Sequence, residues 1–334
     1  MTPYRTAVLL ASLCVGRVAA SGAQPAVIST AAPEIFAPGV ISGPANDGAP
    51  TFTPDGRTLY FARAGASWGF ILESHQSRGR WTAPSIAPFS GQWADLQPAL
   101  APDGSRLIFA SSRPASLGTG AGAAAPAPAA ALWQVVRVGR GWSAPVRLPA
   151  AVNISPRIFK PSLAADGTLY FMAKTDADKT WRLYRAPYRN GTYDHAEPLP
   201  FSDGTHTDVD PEVAPDESFL IFSSAGRATA DDAHEHLYIT FKTDGAWGPI
   251  TPVRYAGDRP KGGADDGEAH LGRDNRTLYF TSSRAVPIDP HRTRAQAAKD
   301  FARLNAWDNS NNNVWSLSLA PWLDAAKARL ATPS

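Results

Sequence analysis

Apolar and polar residues alternate in short runs along most of this chain, the period of two that belongs to half-buried β-strands. The clearest run is Leu107-Ile108-Phe109-Ala110, and similar runs stand at Leu59-Tyr60-Phe61-Ala62, Leu169-Tyr170-Phe171, Phe219-Leu220-Ile221-Phe222 and Leu278-Tyr279-Phe280. Each follows a turn signal: Pro54-Asp55-Gly56, Pro102-Asp103-Gly104, Asp166-Gly167, Pro215-Asp216-Glu217 and Asp274-Asn275. Asp at such a turn accepts hydrogen bonds from nearby backbone N–H groups, and Gly takes the positive φ of a tight hairpin. Five hairpins are therefore predicted. Ahead of each turn stands Pro50, Pro98, Pro161, Pro211 or Ala269, and in four copies an acidic residue precedes it by three positions, at Asp47, Asp95, Asp208 and Asp266.

The turn aspartates fall at 55, 103, 166, 216 and 274, spacings of 48, 63, 50 and 58 residues that suit one four-stranded blade each. Third strands are predicted at Phe70–Leu72, Leu132–Val136, Trp181–Tyr184, His236–Ile239 and Val314–Leu317. Fourth strands open on an aromatic residue followed by Pro, at Trp81, Trp142, Tyr193 and Trp247. A strand with a free edge tolerates that proline. The fifth unit has no such motif after its third strand, whereas Phe36–Ile41 precedes the first unit. That segment is expected to complete the last blade and close the ring.

The acidic-x-x-Pro, Pro-Asp-Gly and Leu-x-Phe-x-Ser-x-Arg pattern resembles the TolB-like β-propeller repeat, a relative in shape of the WD-type repeat. The resemblance covers about residues 34–322 and implies an all-β fold, a single propeller of four-stranded blades. Five motifs imply five blades; a degenerate sixth is the alternative, because the family usually has six. The resemblance also implies a face that docks proteins or peptides. The family's namesake carries an additional N-terminal α/β domain not seen in this sequence, so membership in the Tol system does not follow.

Two insertions fall between second and third strands. Residues 114–130 are rich in Ala, Gly and Pro, which predicts a mobile loop. Residues 285–313 include a helical stretch at 293–304, with Ala297, Phe301 and Leu304 at helical spacing. Residues 323–334 read as a C-terminal tail.

The N-terminus reads as an export signal: Arg5, then an apolar run from Ala7 to Val15, then small residues ending at Ala20, with a second cleavage site after Ala23. Cys14 follows bulky Leu13, which argues against a lipid anchor. Removing residues 1–20 takes Arg5, Arg17 and the only cysteine, leaving 30 basic and 30 acidic residues from the original 32 and 30. A neutral chain offers no general attraction for nucleic acid. No later apolar run approaches the roughly 20 residues that span a bilayer. The expected location is the periplasm.

Chemistry is sought where the copies differ. Blades three to five place Lys160, Asp210, Glu212, Glu268 and His270 where other copies have Ala, Gln, Thr or Ser, next to the expected channel mouth. With His206 they form the candidate ligand-binding set. Such groups suit acid/base chemistry on a sugar or uronic acid, or an ion-pair network around a water-filled channel. Trp93 and Trp307 are candidate stacking residues for a carbohydrate ring. No three-ligand spacing indicates a metal, and no cofactor motif stands in context. Gly65-Ala66-Ser67-Trp68-Gly69 spells a nucleophile elbow in a hairpin loop, and Gly118-Thr119-Gly120 lacks a βαβ unit. Asp231–His236 reads as a surface loop. The repeated Asp residues and Trp81, Trp142 and Trp247 read as structural. The functional expectation is a module that binds a periplasmic protein, peptide or glycan at the channel mouth; the alternative is a lyase or hydrolase acting on a glycan or small polar substrate.

Overall fold

The computed structural model describes residues 27–66, 68–114, 130–227, 232–258, 263–288 and 290–331. The expected export signal, most of the 114–130 insertion and the last three residues lie outside them.

Five antiparallel sheets form a five-bladed propeller. The inner strands are Asn46–Phe52, Asp95–Leu100, Ile158–Leu163, Thr207–Val213 and Asp266–Leu271, and each neighbours the next around the ring. Second strands pair with them after the Asp turns, and third strands pair with the second in simple meander order. The turns form as their chemistry dictates. Asp55, Asp103, Asp166, Asp216 and Asp274 each accept the backbone N–H two residues on, at 2.8–3.0 Å.

Outer strands are short. In blades one, two and four they are two-residue pieces on either side of the proline, for example Arg80–Trp81 and Ser85–Ile86, both paired with Gly69–Ser77. Proline interrupts the ladder because it lacks the N–H. In the fifth sheet the outer position is taken by Glu34–Ile35, paired with Trp315 and Ser316 of the third strand. That strand lies ahead of the expected 36–41. Residues 37–42 instead fold back on themselves, with Val40 and Ile41 N–H both donating to Ala37 O.

The core is divided. Each apolar cluster lies between consecutive blades: Leu107 and Phe109 pack with Tyr60 and Ile71, for instance, and Ile221 and Ile239 pack with Leu278 and Phe280. The repeated outer tryptophans join this packing. Trp142 donates Nε1–H to Tyr60 Oη at 3.0 Å across the blade boundary, and Trp247 meets Tyr170 edge-on at 6.4 Å.

The repeated Asp residues brace the blades through arginine. Asp47, Asp95, Asp208 and Asp266 pair with Arg63, Arg113, Arg227 and Arg284 at the end of the second strand, at 2.5–3.1 Å. Arg113 also donates to Phe89 O at 2.7 Å and Arg227 to Phe201 O at 3.3 Å, in the preceding blade's exit segment. Each guanidinium lies 5.1–5.7 Å from the Phe ring of its own Leu-x-Phe or Phe-x-x-Phe run. Blade three has Ile158 at the Asp position and no such lock.

Helix α1, Arg294–Ala306, starts at Thr293 in a capping box with Gln296. Its apolar spacing does not dock: Phe301 is 66% exposed and no residue of α1 is buried. Helix α2, Ala320–Leu330, occupies most of the expected tail and is anchored by Trp322, which is buried against blades four and five.

Candidate functional site

Every inner strand carries a β-bulge at the same place. In blade four Val209 pairs with Ser223 while Glu212 pairs with Ile221, so three steps oppose two. The other four strands shift identically, at 48/51, 96/99, 159/162 and 267/270. The residue before each Pro, or before Ala269, takes a left-handed conformation: Ala49, Gln97, Lys160, Asp210 and Glu268 have φ of 46–55°. None is glycine, so each stores strain of about 1–2 kcal/mol.

These strained residues meet inside the ring. Gln97 Oε1 accepts from Lys160 N at 2.9 Å, and its Nε2 donates to Glu268 Oε1 at 2.8 Å. Asp210 Oδ2 accepts from Glu268 N at 2.8 Å, and Glu268 Oε2 accepts from Thr281 Oγ1 at 2.9 Å. Lys160, 1% exposed, donates Nζ–H to Ala269 O at 2.8 Å and lies 3.8 Å from Glu212. Glu212 in turn takes bonds from Ser162 Oγ, Leu271 N and His270 Nδ1 at 2.9–3.1 Å. Burial alone would raise the Glu212 carboxyl; His270 and Lys160 outweigh it and hold the group below its ordinary value.

The result is a polar plug with a recess on either side. One, of about 320 Å³, opens among the Asp turns and has Ser162, Glu212 and His270 among its lining residues. Their hydrogen-bonding groups are directed at one another. The other, of about 350 Å³, opens where the chain enters the inner strands. Gln97, Asp210, Glu235, Phe159, Met172 and Trp181 line it.

Five expected site residues thus converge. Glu212 and His270 belong to the plug and the turn-side recess, Lys160 and Glu268 to the plug, and Asp210 to the plug and the mouth. His206 stands apart at the start of its strand, where its carbonyl accepts from Thr180 Oγ1 at 2.8 Å. Trp307 is 8% exposed and packed edge-on against Trp315, so its ring offers no face for stacking; Trp93 is 38% exposed on the surface. Sequence reasoning missed Glu235 and Trp181. Both sit where a second-to-third-strand loop re-enters the sheet, and those loops border the mouth as closely as the loops between blades. Glu235 fell within the stretch read as a surface loop, where His234 pairs with Asp265, distant in sequence, and His236 pairs with Asp232, both of them buried.

Asp210 and Glu235 share the space above Gly267. A Cβ there would stand 2.7 Å from Asp210 Oδ2 and 3.4 Å from Glu235 Oε2, so a larger residue would push the Asp210 carboxylate aside. Asp210 is 6% exposed and its Oδ1 is buried without a hydrogen-bond partner. Burial and the neighbouring Glu268 push the Asp210 carboxyl up, to about 7, against the pull of Lys160. Burial, Asp210, Asp265 and Glu268 push Glu235 to about 8.

Both groups hold protons more tightly folded than unfolded, so stability falls as pH rises from about 4 to about 8. The contribution is complete below that window and lost above it. Asp210→Asn should flatten the slope. Wild-type protein is expected to lose on the order of 2–4 kcal/mol more than the variant between pH 5 and 8.5 in urea melts; equal losses would contradict this account.

Among the described residues no group of three His, Cys, Asp or Glu side chains is arranged to hold a metal, and no helix is long and apolar enough to cross a membrane. No protein-family model and no curated protein matches the chain. Solved structures do. A TolB-assigned protein from Agrobacterium tumefaciens is 16% identical, with 74% of this chain and 73% of that one covered and a TM-score of 0.46. TolB from Acinetobacter baumannii is 13% identical over 71% of this chain and 51% of its own length, with the same TM-score. A Hadza microbial sialidase is 16% identical over 71% and 53%, with a TM-score of 0.43. Likenesses of this size choose no function, and the propeller rests on this chain's own strand pairing.

Proposed function

We propose that this chain is an exported, periplasmic propeller that acts as a binding module, taking a protein, peptide or other ligand at the channel mouth. One observation carries the reading. The cation and most carboxylates that an acid/base site would draw on are directed at one another within the plug, whereas the mouth keeps an open recess with apolar walls and an orphaned carboxylate oxygen. Recesses of this kind bind rather than turn over unless a nucleophile and base are also aligned.

The test is capture from an envelope extract of the source organism on immobilised protein. Trp181→Ala and Glu235→Gln are expected to reduce a captured component at least tenfold, while Arg189→Ala, on a solvent-facing hairpin of blade three, leaves it unchanged. Capture indifferent to both mouth variants would sink the reading.

A second reading is favoured by the raised Asp210 and Glu235 carboxyls, which suit general-acid chemistry on a glycan. Release of reducing ends from an oligosaccharide panel, abolished by Glu235→Gln, would establish it in place of the first.

A further inference from the structure

We propose that the mouth recess is a receptor site for a primary ammonium group carried on an unbranched apolar chain, with Asp210 and Glu235 at its anionic end and Phe159, Met172 and Trp181 as its apolar wall. This rests on the reading of the mouth as a binding surface and names the ligand chemistry.

The charge balance points to a cation. Asp210 and Glu235 line the recess, and Glu268 and Asp265 stand close enough to raise their proton affinity. Lys160 pulls against the rise of the Asp210 carboxyl, but its ammonium is bonded to Ala269 O and lies near Glu212. His234 is engaged with Asp265, and Glu268 with Gln97 and Thr281. Among the described residues neither Asp210 nor Glu235 has a cationic side chain within ion-pairing distance. The buried Asp210 Oδ1 accepts nothing, although a buried carboxylate oxygen ordinarily has a donor.

The walls point to an organic cation. Phe159 and Trp181 meet edge-on at 5.9 Å, and Met172 pairs with Phe159 across the two strands. Leu96 and Val209 complete the apolar surround. A hydrated metal ion gains nothing from such a wall, and no ligand triad is present to replace its water. An ammonium on a short alkyl chain uses both ends, by charge-assisted hydrogen bonds and by apolar and cation–π contact. A volume of about 350 Å³ lies at the small end of ligand pockets.

Proton balance supplies the signature. Near neutral pH the carboxylate pair retains a proton, and seating an ammonium expels it to solvent. Affinity should therefore rise with pH, by up to about tenfold per unit, until the pair is ionised. The ammonium itself stays charged to about pH 10.

Calorimetric titration with 1,5-diaminopentane and with Nα-acetyl-lysine amide tests this, with pentan-1-ol and pentanoate as neutral and anionic controls. At least one amine should bind tenfold or more tighter than either control, and about tenfold tighter at pH 7.5 than at pH 6.5. Preference for the diamine identifies a free polyamine as the source, and preference for the amide identifies a lysine side chain. Asp210→Asn and Glu235→Gln should each weaken amine binding at least tenfold and flatten its pH dependence, the remaining carboxyl keeping part of it. Trp181→Ala should weaken it and keep that dependence, and Glu197→Gln on an outer strand should change nothing. Because Glu235 lies at the mouth rather than in the plug, Glu235→Gln decides the matter even where Asp210→Asn perturbs folding. Amine binding that is absent, no tighter than that of pentan-1-ol, or unchanged in Glu235→Gln overturns the proposal. If mouth-dependent capture from extract persists in that case, the binding reading stands and only the ligand class is wrong.

Discussion

Replacing Lys160 with Met should destabilise the propeller by about 3–5 kcal/mol, the cost of removing one partner from a buried charged network. Lys160 is 1% exposed, and its ammonium bridges Ala269 O of blade five and the neighbourhood of Glu212 of blade four. Methionine keeps the length and loses the charge, so Asp210, Glu212 and Glu268 would share the ring's centre with no buried lysine. Lys160→Met should therefore be most damaging at high pH, when the carboxylates are ionised, and recover partly toward pH 5. Denaturant melts at the two pH values check this; a uniform loss would show that packing rather than charge is at issue. Lys160→Gly separates the backbone contribution, because glycine relieves the positive φ of 46° while removing the same charge.

Asp95→Ala is expected to cost a similar 3–5 kcal/mol, seen as a fall of roughly 10 °C in Tm. Asp95 is fully buried and accepts from Ser90 Oγ at 2.8 Å, Ser111 Oγ at 2.7 Å and Arg113 Nη2 at 3.1 Å. Desolvation raises the Asp95 carboxyl and lowers the Arg113 guanidinium from their ordinary values, so each group is held by the other against its burial cost. Removing Asp95 leaves Arg113, 9% exposed, with Phe89 O as its remaining oxygen partner. The pair Asp95→Leu with Arg113→Met should recover much of the loss, because no buried charge then stands alone. A double variant no better than Asp95→Ala would mean that the lock acts through shape and the serine bonds.

The blade count was legible because five copies of one turn and one alternating run are a local signal, fixed by hydrogen bonds that span two residues. The locks were half legible: the register of Asp47, Asp95, Asp208 and Asp266 marked them as structural, and their pairing with Arg 16–19 residues later is within reach of one hairpin. The mouth was not. Asp210 lies in the inner strand of blade four and Glu235 in the loop just ahead of its third strand, and their meeting above Gly267 depends on that loop returning to the ring's centre. The bulge was equally hidden, since no residue type betrays a left-handed Lys, Gln, Asp or Glu.

By itself, then, the sequence determined the first three strands of each blade, the turns and the division into five blades, because these follow from periodicity two and from side chains bonding their own neighbourhood. Only the tertiary structure decided what the charged residues do. Gln97 meets Glu268 and Lys160 meets Ala269 across an axis that exists only once the ring is assembled. Burial at that axis makes a plug of charges that the chain spaces tens of residues apart, and it leaves Asp210 and Glu235 facing the open mouth.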